Sequence, residues 1–395
     1  MTDLDLQLQS QRIFDLEAQY LAPGTQSVAL FSKLCMDRGE GAVLWDVDGN
    51  RYVDLLAGVG VASLGYAHPR YVAELSRQLE RVHVGSFTSE HRAALVKLIA
   101  ELAPGDLNRT QLYSSGAEAV EAALRLARAA TGRHEVMGFW GGFHGKTGGV
   151  LPLLSGSFKH GLGPLAPGMY SSPYAACARC AFGKSFPSCH WHCVDFLRSK
   201  IALETTNDIA AIIVEPVQGT AGNVVPDVLL VGKGFGGGFP VSGIVIREPI
   251  AFSKPWANPS GSSSSYGGNP LAAAAAHITI QTIVDEELVA HSRRLGALML
   301  AEMQRWEDEI PIVSDVRGRG LMLGMDLVVP GTRTLLDKKI TRWIFDTLLA
   351  RGVIAMIYNP EVRINPPLVI TDEQAMEALA AVKAVLEEAS ARVRR

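Results

Sequence analysis

The chain predicts an α/β fold, with a large domain built on a mostly parallel sheet and a smaller α+β domain. Three observations carry this reading. From about Tyr71 helical and strand patterns alternate, as RYVAELSRQLERV, TQLYS, GAEAVEAALRLARAAT and EVMGFW, and alternation of this kind implies a sheet covered by crossover helices. The runs IAAIIVEP, DVLLVGK and VSGIVIR are apolar and β-branched throughout, as strands buried on both faces are. Finally, 395 residues exceed what a single core sustains, so two lobes are expected.

In chain order, an acidic leading helix precedes VLWDVDGNRYVDL, which predicts two strands around a turn at Asp48-Gly49, because Asp and Gly tolerate the positive φ of a tight hairpin. From Asn269 a long helix leads to a strand in LMLGMDLVV, a helix around KKITRWIFDTLLARG, a strand VIAMIYN and a terminal helix TDEQAMEALAAVKAVLEEA. This last stretch is expected to pack beside the N-terminal hairpin. The domains are therefore drawn as 1–60 and 286–395 for the two parts of the small domain, and 61–285 for the large one.

Composition narrows the function. With 48% apolar and 19% charged residues and a net charge of -3, the chain has no basic excess for nucleic acid and favours small-molecule chemistry. The N-terminal MTDLDLQLQSQRIFDLEAQYL lacks the basic start and apolar core of a secretion signal, and no apolar run reaches membrane-spanning length. Five cysteines, an odd number in a long chain, suggest a reducing compartment. A cytoplasmic protein that binds neither membrane nor nucleic acid is expected.

Three elements carry chemistry. In LYSSGAEAVEAALRLAR, Ser115 and Glu118 are spaced as a capping box at a strand-to-helix junction, whose free N–H groups and dipole can receive a phosphate. Taken alone, the same residues also describe any well-capped helix. In VGKGFGGGFPVSG, Lys233 follows an apolar strand and precedes a glycine-rich stretch. A buried lysine can lose its proton and attack an aldehyde, and glycines let the backbone approach a flat ligand. A P-loop variant is disfavoured, since no Lys-Ser/Thr pair opens a helix here. In GFWGGFHGKTGG, Phe143 and His144 lie on a glycine-rich loop after a strand, where an aromatic ring can stack on a planar cofactor or simply pack into the core.

Together these elements resemble the class III aminotransferases, the fold-type I, pyridoxal-phosphate enzymes that include the ornithine, acetylornithine, 4-aminobutyrate and ω-amino acid transaminases. The likeness runs in family order through VLWDVDGNRYVDLLAGVGVASLGYAHP, SSGAEAVEAALRLAR, FHGKT, VEPVQGTAG, VPDVLLVGKGFGGGFPVSG, SSYGGNPLAAAAA and VRINPPLVITDEQ. The resemblance implies that Lys233 is the Schiff-base lysine and proton shuttle. Ser115, Gly116 and Ala117 match the phosphate cradle, Phe143 the stacking ring with His144 beside it, and Ser265 the position that reaches the phosphate of the neighbouring subunit. A homodimer with shared sites follows. Arg363 matches the arginine that clamps the substrate carboxylate, a task suited to a planar guanidinium. On its own it would read as a surface salt bridge, and the INPP context favours the clamp. Glu215 matches the glutamate that pairs with this arginine in several members.

The chain departs from the family between VEPVQGTAGNVVP and DVLLVGK, where the resemblance implies a helix, a buried strand and an Asp-Glu motif of several tens of residues. The aspartate of that segment would pair with the pyridine nitrogen and keep the ring an electron sink. Asp227 does not replace it, since it matches the Pro-Asp pair at the start of the lysine strand. The merged Val224-Val225-Pro226 is what a deletion between short repeats leaves. Such a deletion predicts a sheet without one central strand and impaired turnover.

Cys177, Cys180, Cys189 and Cys193, with His190 and His192 among them, stand outside the family core. The first pair has zinc-ligand spacing and the second is one residue wider, so a packed loop of free thiols and a zinc site are both open, and no metal is assigned to the active site. The implied reaction is transfer of an amino group from an amine or ω-amino acid to a 2-oxo acid, in two half-reactions through pyridoxamine phosphate. The alternatives are a decarboxylase, mutase or epimerase using the same cofactor, and a catalytically impaired cofactor-binding homologue.

Overall fold

A computed structural model describes residues 8–393 apart from 155 and 216–227. The chain divides into two units, Met1–Ala73 with Ile278–Arg395, and Glu74–His277.

The N-terminal part of the first unit contributes β1 (Met36–Glu40), β2 (Val43–Asp46) and β3 (Arg51–Asp54), paired antiparallel in that order. The turn at Asp48-Gly49 forms as its residues dictate. Gly49 takes φ +86°, and the buried Asp46 carboxylate accepts the N–H groups of Asp48 at 3.0 Å and Asn50 at 2.8 Å and the Tyr52 hydroxyl at 2.9 Å. A buried carboxylate is tolerated there because these donors replace its water.

The second unit contains β4 (Leu107–Tyr113), β5 (Glu135–Phe139), β6 (Met169–Ser172), β7 (Ile209–Ile212), β8 (Val228–Val231) and β9 (Ser242–Arg247). β5 pairs in parallel with β6 on one edge and β7 on the other. β9 runs antiparallel between β4 and β8, which therefore share one direction. The unit thus holds two three-stranded sheets, β4-β9-β8 and β6-β5-β7, and among the described residues no hydrogen-bond ladder joins β7 to β8. The helix Gly116–Thr131 packs on both strands. Its Val120 and Leu124 share an apolar cluster with Val136, against which Ile213 and Leu230 rest.

The apolar runs around β7 and β8 predict strands buried on both faces, and here the structure corrects the sequence. β8 is only half-buried along its length, and Ile212 and Val214 are each 51% exposed, whereas Ser242–Ile246 of β9 are buried. Among the described residues β7 and β8 each have a strand partner on one edge only. This is the arrangement expected of a sheet without one central strand; the join at Val224-Val225-Pro226 and Asp227 themselves lie outside the described residues.

The C-terminal part returns to the first unit with β10 (Val313–Arg319), β11 (Met322–Leu327), β12 (Val353–Ile354) and β13 (Glu361–Ile364). β10, β11 and β13 form an antiparallel sheet. β12 adds to β3 in parallel, completing the order β1-β2-β3-β12, with Leu55 N–H donating to Ile354 carbonyl at 2.8 Å. VIAMIYN therefore yields a ladder of only two residues. The long helix expected after Asn269 breaks where Glu287 adopts φ +51°, giving Pro270–Asp285 and Leu288–Glu309. A non-glycine residue in the left-handed region ends a helix because the next carbonyl no longer points along the axis. The core of this unit gathers Met303, Trp306, Phe345 and Leu386 from three helices.

Candidate active site

β4 ends at Tyr113, and the chain enters the Gly116–Thr131 helix through Ser115, whose extended backbone and side chain form the N-cap. Ser115 Oγ accepts Glu118 N–H at 3.2 Å, while Glu118 Oε2 reaches back to Ser114 N–H at 3.0 Å, one residue earlier than the usual reciprocal bond. The N–H groups of Gly116 and Ala117 lie in the first turn, where a helix offers them no internal acceptor, and they sit at the positive end of its dipole. A Cβ placed on Gly116 would meet nothing within 4 Å, so this helix start is open to an anion.

Lys233 begins a short 3₁₀ turn directly after β8, with φ +49°. A Cβ on the preceding Gly232 would lie 3.9 Å from Gly116 Cα, which brings the lysine strand beside the cradle, and Ser242 Oγ of the neighbouring β9 donates to Ser115 carbonyl at 2.7 Å. Sequence reasoning places Lys233 in a buried setting; the structure shows it exposed, next to a strand, β8, that among the described residues is paired along one edge only.

The third piece is the loop after β5. Lys233 Nζ stands 5.9 Å from the Phe143 ring centroid, and Phe158 meets that ring edge-on at 5.7 Å. Phe143 N–H donates to Glu215 Oε2 at 3.0 Å, and the Tyr174 hydroxyl donates to the Glu215 carbonyl at 3.0 Å. Gly145, at φ +105°, lets the loop close on the cradle, since its Cβ would come within 2.4 Å of Ala117 Cβ. Tyr174, Ser242 and Gly145 were not singled out by sequence reasoning; the Pro173-Tyr174 pair just after β6 is a local sign of the first, and the others depend on partners distant in the chain.

His144 is buried at 6% exposure, and burial pushes its pKa down to about 4, so the ring is neutral at ordinary pH. The unfolded chain binds this proton below about pH 6.5, whereas the folded chain resists it until about pH 4. Stability contributed by a neutral His144 is therefore full above that window and is lost as pH falls through it. Urea titrations at pH 7 and pH 4.5 should show a loss that His144→Phe reduces by roughly 1–3 kcal/mol. An unchanged pH slope in the variant would show that His144 is not the group responsible.

Other predicted residues are placed differently. Ser265 is exposed in the turn where Gly267 and Gly268 close on Leu112 of β4. Arg363 belongs to the first unit, exposed on the face of β13 that also carries Glu361, while Val362 and Ile364 point into the core. The Glu215 carboxylate, expected to face that arginine, holds the Phe143 loop.

An anion cradle at a helix start, an aromatic face and an amine beside both fit pyridoxal phosphate: Ser115, Gly116 and Ala117 would hold its phosphate, Phe143 its ring and Lys233 its aldehyde carbon. A sheet-and-helix unit bearing such a lysine defines a fold-type I transferase. The pattern of the family described as Aminotransferase class-III matches residues 25–226 and 223–386. The chain belongs to the class III aminotransferase family. The two matched stretches overlap at 223–226, so one Asn-Val-Val-Pro run serves both sides of an interruption. An acetylornithine aminotransferase of Methanopyrus kandleri is 32% identical, over 87% of this chain and 91% of the relative. That alignment spans 389 positions, so some tens of them have no counterpart here. Among solved structures, an (S)-enantioselective omega-transaminase from Thermomicrobium roseum superposes with TM-score 0.87 at 26% identity, over 97% of this chain and 99% of the other. A PLP-bound amine transaminase from an uncultivated Pseudomonas species gives 0.85 at 25% identity, over 95% and 98%.

Proposed function

We propose that the protein transfers an amino group between an amine or ω-amino acid and a 2-oxo acid, using pyridoxal phosphate carried on Lys233. The observation that supports this most is the meeting of Lys233 Nζ, the Phe143 ring and the open Gly116–Ala117 helix start. When bound, the cofactor supplies the electron sink that makes a substrate Cα–H acidic. This chain's residues bind and orient around it. Gly116 and Ala117 N–H groups take the phosphate, Phe143 stacks on the ring, and Glu215 fixes Phe143 through its N–H. Lys233 holds the aldehyde carbon and, once displaced, its amine moves the proton at Cα. Arg363 takes the substrate carboxylate, and Ser265 serves the phosphate of a second subunit in a cytoplasmic homodimer. No described helix is long and apolar enough to cross a membrane.

A titration of the cofactor-loaded protein with a panel of amines tests this reading. Amines should bleach the cofactor absorbance, a 2-oxo acid should restore it, and a new amino acid should accumulate. The gap between the two sheets and the interrupted family match favour a second reading, in which the cofactor binds and turnover is slow. In that case absorbance persists through the titration and no amino acid forms.

A further inference from the structure

The loop that carries Phe143 runs back along one face of the helix that carries the phosphate cradle. Ala117 and Glu121 stand four residues apart on the Gly116–Thr131 helix, so their side chains share a face, one turn apart. Gly145 passes against Ala117, where a Cβ would fall 2.4 Å from Ala117 Cβ. Two residues further on, the loop reaches Glu121. Glu121 Oε1 accepts the Thr147 hydroxyl at 2.7 Å and Gly149 N–H at 3.0 Å. The fit is close, since a Cβ on Gly149 would fall 2.2 Å from Glu121 Oε2 and 2.6 Å from Oε1. Thr147 is fixed from its other side as well: its carbonyl accepts Leu151 N–H at 3.0 Å, and Val150 enters the apolar cluster of Val120 and Leu124 from the same helix. At the front of the loop Phe143 N–H is held by Glu215, which follows β7 and not the helix. The rear grip therefore belongs to Glu121.

We infer that Glu121 is a positioning residue for the reaction, whose carboxylate sets the place of the Phe143 ring relative to the cradle by gripping the loop at Thr147 and Gly149. The inference rests on the reading of the site given above, in which Gly116 and Ala117 take the phosphate and Phe143 the ring. Phosphate and pyridine of one small ligand are a fixed distance apart, so the two pieces of protein that receive them must be held at a matching separation before it binds. Glu121 joins those two pieces without touching a reacting group. Hydrogen bonds to a carboxylate are roughly twice as strong as those between neutral groups, and two donors here share one acceptor oxygen. That geometry makes a specific demand at position 121. Glutamine offers an oxygen at the same reach without the charge, whereas aspartate keeps the charge on a stem one methylene too short.

Hydrogen exchange of the cofactor-free chain and absorbance titration with pyridoxal phosphate test the inference. In Glu121→Ala the amides of 142–149 should exchange at least ~10-fold faster, while those of β5 and of the helix interior stay as they were. Cofactor affinity should fall ~10- to 100-fold, and the induced circular dichroism of the cofactor band should weaken. Glu121→Gln should stay within about 3-fold of the unmodified chain in both readouts, and Glu121→Asp should behave as Glu121→Ala does. Thr147→Val removes one donor from the loop side, so it tests the grip even if Glu121→Ala folds poorly; it should show the same changes in smaller measure and add little to Glu121→Ala. Unchanged exchange across 142–149 in Glu121→Ala, or an aspartate variant that binds cofactor better than the glutamine one, overturns the inference. An unmodified chain that takes up no cofactor overturns the reading of the site and this role with it, whereas normal uptake by Glu121→Ala overturns the role alone.

Discussion

Lys233→Ala is expected to lower turnover by at least ~10³-fold, because it removes both the covalent anchor and the proton-transfer amine. The site contains an internal control. Lys146 Nζ lies 6.0 Å from the Phe143 ring, as near as Lys233 at 5.9 Å, but it also sits over Phe158 and follows the loop, whereas Lys233 is joined to the cradle through Gly232. Lys146→Ala should therefore retain the cofactor absorbance and most of the activity. Lys233 is exposed, so its replacement should change unfolding free energy by less than ~0.5 kcal/mol, and lost activity would reflect chemistry, not folding. If Lys233→Ala kept the absorbance and turned over while Lys146→Ala lost both, the assignment of the anchor would be wrong.

Gly145→Ala should weaken cofactor binding by ~30- to 1000-fold. Two costs combine at this position. Its φ of +105° lies where side chains are strained by about 1–3 kcal/mol, and the new Cβ would fall 2.4 Å from Ala117 Cβ and 2.7 Å from Ala117 Cα. Backbone at the start of a helix cannot yield as the tip of a flexible side chain can, so the loop must lift away and take Phe143 with it. A loss of ~2–4 kcal/mol gives the stated range. Adding Ala117→Gly removes the nearer collision and should recover part of the affinity. Absorbance titration of the single and double variants measures both effects, and wild-type affinity in Gly145→Ala would show that the loop does not need this close approach.

Features set by neighbours in sequence were legible before any coordinates. The Asp48-Gly49 turn, the Ser115 cap and the glycine-rich stretch after Lys233 each depend on a few adjacent residues, and the structure forms each of them. The α/β class followed from periodicity in the same way. What the sequence did not convey rests on partners far along the chain. The pairing of β12 with β3 joins residues some three hundred positions apart and leaves no local pattern. The exposure of Lys233 and the half-burial of β7 and β8 accompany strands that, among the described residues, pair along one edge only, and a string of apolar residues looks the same with one partner or two. His144 could be named from its loop, but its neutral state needs the burial around it. Arg363 and Ser265 drew their roles from family resemblance, since neither spacing nor composition marks them.

The division of the second unit bears finally on how the site moves. Phe143 follows β5 and Lys233 follows β8, so ring and amine are borne by different three-stranded sheets of one compact unit. Among the described residues the Gly116–Thr131 helix spans both, through apolar packing and through hydrogen bonds, since Glu121 accepts Thr147 Oγ1 and Gly149 N–H of the Phe143 loop and Ser115 carbonyl accepts Ser242 Oγ of β9. The spacing of stacking ring and lysine thus depends on how this helix is seated, and repacking Val120 or Leu124 against Ile213 and Leu230 is expected to alter it without touching a reacting group.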